Sequence, residues 1–323
     1  MNKILAPLNN RNYIQELVEA GVDEFYMGFY DPEWDEEFGD FAEINRMSGF
    51  KRYANPYNFE EVLDIIPEIK KYGKSIFITI NTASYKEPYF KKLEQYFIRL
   101  KEVGADGVIV STPELVMLAK KVGIEPVAST MCGIFNSDLV DFYRSIGMKR
   151  MILPRDLSLD EIEHIVKANP DIFFEVFLMR NGCQFSDSHC LGFHKERGSV
   201  CGNLNNSSKS ISCIKKGFKT QHDVELNDML YVKFFHRMGA CGLCALYRFV
   251  KMGIGSYKIV GRSERPDGII EDTKMIIENI KIIESCNSEK EFLEKMKFPK
   301  DSRVECKMGF SCYYPEVRFD DEE

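Results

Sequence analysis

The sequence predicts an α/β fold, a (β/α)8 barrel of the TIM type, on three observations. First, helix-like stretches end in glycine and pass almost at once into a short β-branched or aromatic run, as in QELVEAGVDEFYMGF, IRLKEVGADGVIVST and FVKMGIGSYKIVGR. The glycine takes the left-handed position that closes a helix, so the strand begins without a long connection. Second, eight such strands can be counted, and strands alternating with helices at this spacing pair in parallel. Third, 323 residues with 44% hydrophobic and 29% charged content supply a large globular core. That length suits two domains of roughly 150 residues, or one barrel of about 250 carrying insertions. An open doubly wound sheet shares the alternation; the count of eight favours the barrel.

Taken in order, the strands are predicted at 3–7, 24–29, 75–81, 107–111, 125–129, 150–153, 172–178 and 256–261. Helical patterns fall near 10–20, 58–72, 87–103, 113–122, 136–147, 158–168, 241–253 and 268–287. Asn136-Ser137-Asp138 is a capping cluster, and Ser158-Leu-Asp-Glu161 reads as a capping box. The barrel is assigned to 1–288 and a C-terminal extension to 289–323, with a cysteine-rich insertion at 179–240. Two connections are far longer than the usual 2–6 residues. Residues 30–57, acidic and aromatic, hold the single Trp34 and read either as a solvated loop or as a lid. Both long connections leave the C-terminal ends of strands, the face where barrel enzymes keep their sites.

No run approaches the ~20 apolar residues of a membrane span. The opening MNKILAPLNN lacks the pattern of a secretory leader, so a cytoplasmic location is expected. A balance of 43 basic against 50 acidic residues, net −7, argues against generic coating of nucleic acid. H-E-x-x-H, G-x-S-x-G, Walker and G-x-G-x-x-G motifs do not occur.

The cysteines carry the functional signal. Six of ten cysteines (Cys183, Cys190, Cys201, Cys213, Cys241 and Cys244) and four of five histidines fall between residues 183 and 244. In a reducing compartment such clustering points to metal or redox chemistry rather than disulfides. Thiolates at this density suit zinc or an iron–sulfur cluster. Cys241-Gly-Leu-Cys244 is one tight pair of the kind zinc uses; the other spacings are wide, which favours a cluster. Cys132 and Cys286 look isolated. The remaining eight, which include Cys306 and Cys312, would suffice for two four-thiolate sites if the tail folds back over the barrel mouth. Phe310, Tyr313 and Tyr314 give it a packing reason to do so.

Several segments resemble peptidase family U-32. Glu175-Val-Phe177, Cys183 and Cys190 stand at the offsets of that family's glutamate, phenylalanine and paired cysteines. Arg155-Asp-Leu-Ser158-Leu-Asp-Glu161-Ile resembles its REL-S-L-x-E-I element. Cys241 followed by Gly253-Ile-Gly-Ser-Tyr-Lys258-Ile-Val-Gly261-Arg262 resembles its L-C…K-I-E-G-R element. The likeness spans about 1–265. It departs at Met179-Arg180, where the family has His-Gly; at Ser188, which replaces a glycine; at Val260, which replaces a glutamate; and around Cys201 and Cys213, which lack the family's C-x-x-x-C-R context.

The resemblance implies an iron–sulfur protein acting in oxygen-independent hydroxylation, with prephenate as oxygen donor. It implies a [4Fe–4S] cluster on Cys183, Cys190 and Cys241, completed by Cys213 or Cys201, with Cys244 in reserve. The strand ends would offer Asn9, Asn81, Ser111, Ser129, Arg155, Lys258 and Arg262. Arg155, Lys258 and Arg262 would bind prephenate or another small anion through charge-assisted hydrogen bonds; Asn9, Asn81 and Glu175 would line the cofactor site. The competing reading of the cations is buried structural ion pairing. The substrate could be an RNA base, a quinone precursor or a peptide. A peptidase, or a non-catalytic iron–sulfur scaffold or electron-transfer subunit working with a homologous partner, are the alternatives.

Overall fold

The computed structural model describes residues 2–39, 42–46, 54–183, 186–188, 240–299 and 312–317. Eight parallel strands close into a barrel in sequence order, with β1 hydrogen-bonded to β8. They are β1 (Lys3–Pro7), β2 (Glu24–Met27), β3 (Ser75–Ile80), β4 (Gly107–Val110), β5 (Glu125–Ala128), β6 (Arg150–Ile152), β7 (Phe173–Met179) and β8 (Ser256–Ile259). All eight predicted strands are present. Most stop one or two residues before their predicted ends, where the backbone leaves the ladder to form the mouth.

Helices cover the outside: α1 (Ile14–Ala20), α2 (Pro32–Phe38), α3 (Phe59–Lys70), α4 (Phe90–Glu102), α5 (Pro113–Val122), α6 (Ser137–Ser145), α7 (Leu159–Ala168), α8 (Leu246–Met252), α9 (Pro266–Glu284) and α10 (Glu289–Lys295). The predicted start signals operate. Asn136 accepts from the Leu139 amide at 3.0 Å, and the Ser158–Glu161 capping box is formed in both directions. Gly123 and Gly253 take left-handed φ values of 81° and 79° at the ends of α5 and α8, which lets β5 and β8 begin two and three residues later.

Three expectations need correction. Residues 30–57 are not a solvated loop in their described part. They contain α2, whose Trp34 is fully buried, packs on Phe38 and Tyr89 at 4.7 and 5.1 Å, and donates its indole N–H to the Ala42 carbonyl at 2.7 Å. Burying an indole this completely outweighs the local acidity, since its one polar atom is satisfied. Cys286 was expected inside the last barrel helix, but α9 starts at Pro266 and ends at Glu284, so Cys286 sits in the following turn. The predicted helix at 10–20 opens with a 3-10 turn at Arg11–Tyr13, capped by Asn10.

The described part of the tail, 312–317, packs against the β7 exit, as Tyr313 and Tyr314 suggest. Tyr313 and Tyr314 are buried, the backbone of Cys312 pairs with that of Cys241 in an isolated parallel β-bridge, and the Tyr314 hydroxyl donates to the Phe177 carbonyl at 2.8 Å. Glu316 accepts from the Leu159 amide at 3.0 Å, adding a carboxylate at the start of α7.

The lumen is partly polar. Arg150 on β6 donates to Glu24 on β2 and to Glu175 on β7, and Lys3 on β1 donates to Glu24 at 2.7 Å. β2 and β6 are not neighbours in the sheet, so this network crosses the interior. Arg150, Glu24 and Lys3 each open their strands, which places the network toward the N-terminal end, and the Arg150 guanidinium stacks on Phe77 and Phe173 at 4.3 and 4.6 Å. Burial alone would raise the Glu24 carboxyl, but its bonds to Arg150 and Lys3 hold it below the usual carboxylate range. Among the described residues no helix is long and apolar enough to cross a membrane.

Candidate functional site

At the opposite, C-terminal end of the barrel the polar groups are less completely matched. Arg262 follows β8 and reaches across the lumen to β3. Its Nη1 donates to Asn55 Oδ1 at 2.7 Å, to Thr79 Oγ1 at 2.8 Å and to Asn45 Oδ1 at 3.4 Å. All three acceptors are neutral, and among the described residues no carboxylate pairs with this arginine. Its Nε and Nη2 make no bond there, so one edge of the guanidinium is anchored and the other is on offer. The residue is 6% exposed, and burial drags its pKa down to about 10. Gly28, just past β2, makes room for it. A Cβ at Gly28 would lie 2.2 Å from Nη1 and 2.3 Å from Asn55 Oδ1.

One step deeper, Lys258 on β8 projects into the lumen. Its Nζ lies 3.8 Å from the centroid of the Tyr26 ring and 3.9 Å from Glu175 Oε2. Neither Nζ nor Glu175 Oε2 has a hydrogen-bond partner. Burial lowers the Lys258 pKa to about 8; Glu175 and Glu24 oppose this, while Arg150 and Arg262 reinforce it.

Arg155 is differently placed. Its Nε donates to Asp187 Oδ2 at 2.8 Å, its Nη1 donates to the Asn181 carbonyl at 2.8 Å, and its guanidinium stacks on Phe177 at 4.4 Å. Asp187, fully buried, also accepts from Arg46. Burial would raise the Asp187 carboxyl, but Arg155 and Arg46 overrule it and hold it below its ordinary value. This clasp ties the β2 connection to the β7 connection. Two guanidiniums share this one carboxylate.

The remaining predicted residues serve mainly to position these. Asn9 donates to the carbonyls of Arg262 and Glu264 at 2.8 and 2.6 Å, which fixes the backbone that carries Arg262. Asn81 donates to Ser129 Oγ at 3.0 Å and accepts from the Arg46 amide at 3.3 Å. Ser111 donates to the Thr82 carbonyl at 2.6 Å. Glu175 belongs to the crossing network, bonded to Arg150, rather than to the rim. The functional partners that sequence reasoning missed are Arg46, Asp187, Asn45 and Asn55 from irregular connections, and Tyr26 and Thr79 from strands. Only the strand pair left a signal, since both lie on the inward-facing alternation of β2 and β3.

Beside the cations, β7 exits through two consecutive non-glycine residues in left-handed backbone, Arg180 (φ 64°) and Asn181 (φ 44°). Arg180 is held there by Asp272 and by Glu264 at 3.1 Å, and Asn181 by Glu264 at 3.0 Å. Such strain persists only where the surroundings over-determine it, and it clusters at functional positions. Cys183 follows after Gly182. The long insertion returns to the same place: Arg180 N donates to the Ala240 carbonyl at 2.6 Å, and Gly242 N donates to the Leu178 carbonyl at 2.7 Å. Cys241 is thereby bridged to Met179 on one side and Cys312 on the other, with Cys244 buried nearby. Soft thiol donors therefore gather at the β7 exit, which is the right chemistry for zinc or an iron–sulfur cluster. Among the described residues no three metal-ligating side chains converge on one point. Cys190, Cys201 and Cys213, like His189, His194, His222, His236, Cys306 and Phe310, lie outside the described residues.

Fold and site together define a TIM-type barrel with a cationic mouth beside a cysteine-bearing strand exit. The chain belongs to peptidase family U32, whose sequence model matches residues 9–320. It is 25% identical to an uncharacterized protease of Methanocaldococcus jannaschii over 87% of this chain and 65% of that protein. It is 32% identical to tRNA hydroxylation protein P of Escherichia coli over 53% of this chain, but only 39% of that relative. With tRNA hydroxylation protein P2 of Bacillus subtilis it shares 24% identity over 83% of this chain and 82% of that protein. The chain thus matches less than two thirds of the length of the first two relatives.

Proposed function

We propose that this protein is a hydroxylase that binds a small carboxylate in its barrel mouth and acts on an RNA base beside it. The observation that carries the reading is Arg262. A buried guanidinium normally has a carboxylate partner, because desolvating an unpaired charge is costly. This one is anchored at Nη1 by three neutral acceptors and turns its Nε–Nη2 edge free, the edge that grips a carboxylate in bidentate fashion. Asn9 fixes its backbone, Gly28 admits its side chain, and Lys258 adds positive potential below.

The hydroxylase assignment draws on the names of the E. coli and B. subtilis relatives, and the RNA substrate on the same names. Cys183, Cys190 and Cys241, with Cys213, Cys201 or Cys244, would hold the cluster implied by the cysteine pattern. When bound, a [4Fe–4S] cluster supplies one-electron chemistry at the β7 exit. Prephenate, a carboxylate of the right class, is a candidate oxygen donor that would make the reaction independent of O2. The chain's own residues bind and orient that carboxylate and keep bulk water from the lumen.

The peptidase reading rests on the family's name. Cys132 is unsuited to be its nucleophile: it donates to the Val110 carbonyl at 3.3 Å, and burial pushes its thiol up to about 12, where a nucleophile needs a lowered pKa.

Nucleoside mass spectrometry of RNA from cells lacking the protein tests the proposal. A hydroxylated nucleoside should disappear and return with the wild-type chain but not with Arg262→Gln. An unchanged nucleoside profile would sink the RNA assignment.

A further inference from the structure

We propose that Lys258 is a reactive amine that condenses with the carbonyl of a 2-keto acid whose carboxylate is held by Arg262. The inference rests on the anion site above and adds chemistry to it. Geometry carries it. Lys258 lies one residue before the end of β8, on the mouth side of the Arg150 network. Its Nζ stands 3.8 Å over the Tyr26 ring, makes no hydrogen bond, and has Glu175 Oε2, equally unbonded, 3.9 Å away. An ammonium kept for stability would be locked to its carboxylate, as Arg150 is locked to Glu24. Here amine and carboxylate stand apart by more than a hydrogen bond, and both atoms are buried.

A lysine that is desolvated and set near other cations is the arrangement that activates amines toward carbonyls. The groups facing Lys258 are Glu175 and Glu24, which favour its charge, and Arg150 and Arg262, which oppose it, around the face of Tyr26. With its pKa near 8, about a tenth of the amine is neutral at pH 7. Lys258 Nζ lies over the Tyr26 ring and Arg262 Nη1 beside Gly28, two residues further along the chain toward the mouth, so a ligand gripped by its carboxylate at Arg262 would present its adjacent carbonyl inward toward Lys258, as a 2-keto acid can.

In the step itself, the lone pair of the neutral amine attacks the carbonyl carbon and the π pair moves to oxygen. The new ammonium sheds one proton to Glu175 Oε2, which returns it to the oxygen. With a further proton taken from solvent, that oxygen leaves as water. The product is an iminium with one proton on Nζ, and no oxidant or reductant is consumed.

The full chain, purified anaerobically, is incubated with phenylpyruvate or pyruvate and cyanoborohydride. Hydride from the reagent reduces the iminium carbon and leaves a stable secondary amine. The expected result is one adduct per chain, heavier by the keto acid less one oxygen atom and mapped to the Lys258 peptide. Its yield should rise with pH up to about 8 and vanish in Lys258→Met, Lys258→Arg and Arg262→Gln. Label spread over surface lysines, and unchanged in Lys258→Met, overturns the inference. Arg262-dependent binding of phenylpyruvate without any adduct also overturns it, yet leaves the anion site standing. No binding at all removes both.

Discussion

In the lower lumen, Arg150 has Glu24 and Glu175 as partners, Lys3 completes Glu24, and two aromatic rings sandwich the guanidinium. At the mouth, Arg262 is just as buried but meets only Asn45, Asn55 and Thr79. Both are desolvated arginines inside one barrel, and the difference lies in what neutralises them. Matched charge below ties the strands together; the charge without a carboxylate partner above is the basis of the proposed anion site. The Arg46–Asp187–Arg155 clasp is intermediate, with one carboxylate serving two guanidiniums.

The largest effect expected from breaking this contrast comes from the lower network. Arg150→Met should strand Glu24 and Glu175 in an apolar interior and cost roughly 3–5 kcal/mol of stability at neutral pH. Urea denaturation measures it, and a loss under about 1 kcal/mol would show that the network is decorative.

Lys258→Met should act in the opposite direction. The wild-type amine has its pKa lowered from 10.5 to about 8, so the folded state binds its proton less readily than the unfolded chain does. That penalty is carried in full below pH 8 and fades as the pH climbs toward 10.5. Lys258→Met should therefore be more stable than wild type at pH 7, by up to about 3 kcal/mol. The gap should close between pH 8 and 10.5 in paired melting curves. A constant gap across that range would contradict the assignment of the shift to this residue.

Gly28→Ala sharpens the comparison from a distance. Its methyl would collide with Arg262 Nη1 and Asn55, so the guanidinium must move. Stability should fall by about 1–3 kcal/mol, and carboxylate binding should weaken alongside it. Retained affinity in calorimetry would mean that the anchored position of Arg262 is not the binding position. The smallest change is Tyr314→Phe, which removes one buried hydrogen bond to the Phe177 carbonyl and should cost about 1 kcal/mol. Hydrogen exchange over 312–317 should then quicken while the lower lumen stays protected.

Much of this architecture was legible in the residues because it is local. The glycine-closed helices fix where each strand begins, Lys258 follows from its place on the eighth strand, and Arg262 from its place just past that strand's end. What was not legible depends on distance through the fold. Asn45 and Asn55 sit in a connection with no periodicity, more than 200 residues from Arg262. Asp187 is recognisable as the partner of Arg46 only once the β2 and β7 connections are side by side. Glu175 stands before the cysteines in sequence, and only the pairing of β6 with β7 brings it within reach of the Arg150 guanidinium. Trp34 was hidden by acidic neighbours that face outward while the indole faces in.

The contrast between matched and unmatched arginines is tested most directly by calorimetric titration of the wild-type chain and Arg262→Gln with phenylpyruvate under the same buffer and salt. The account predicts binding to the wild type and at least a tenfold loss in Arg262→Gln, the effect of removing a charge-assisted bidentate contact worth about 1.5–3 kcal/mol. Equal affinity in the two proteins would contradict it.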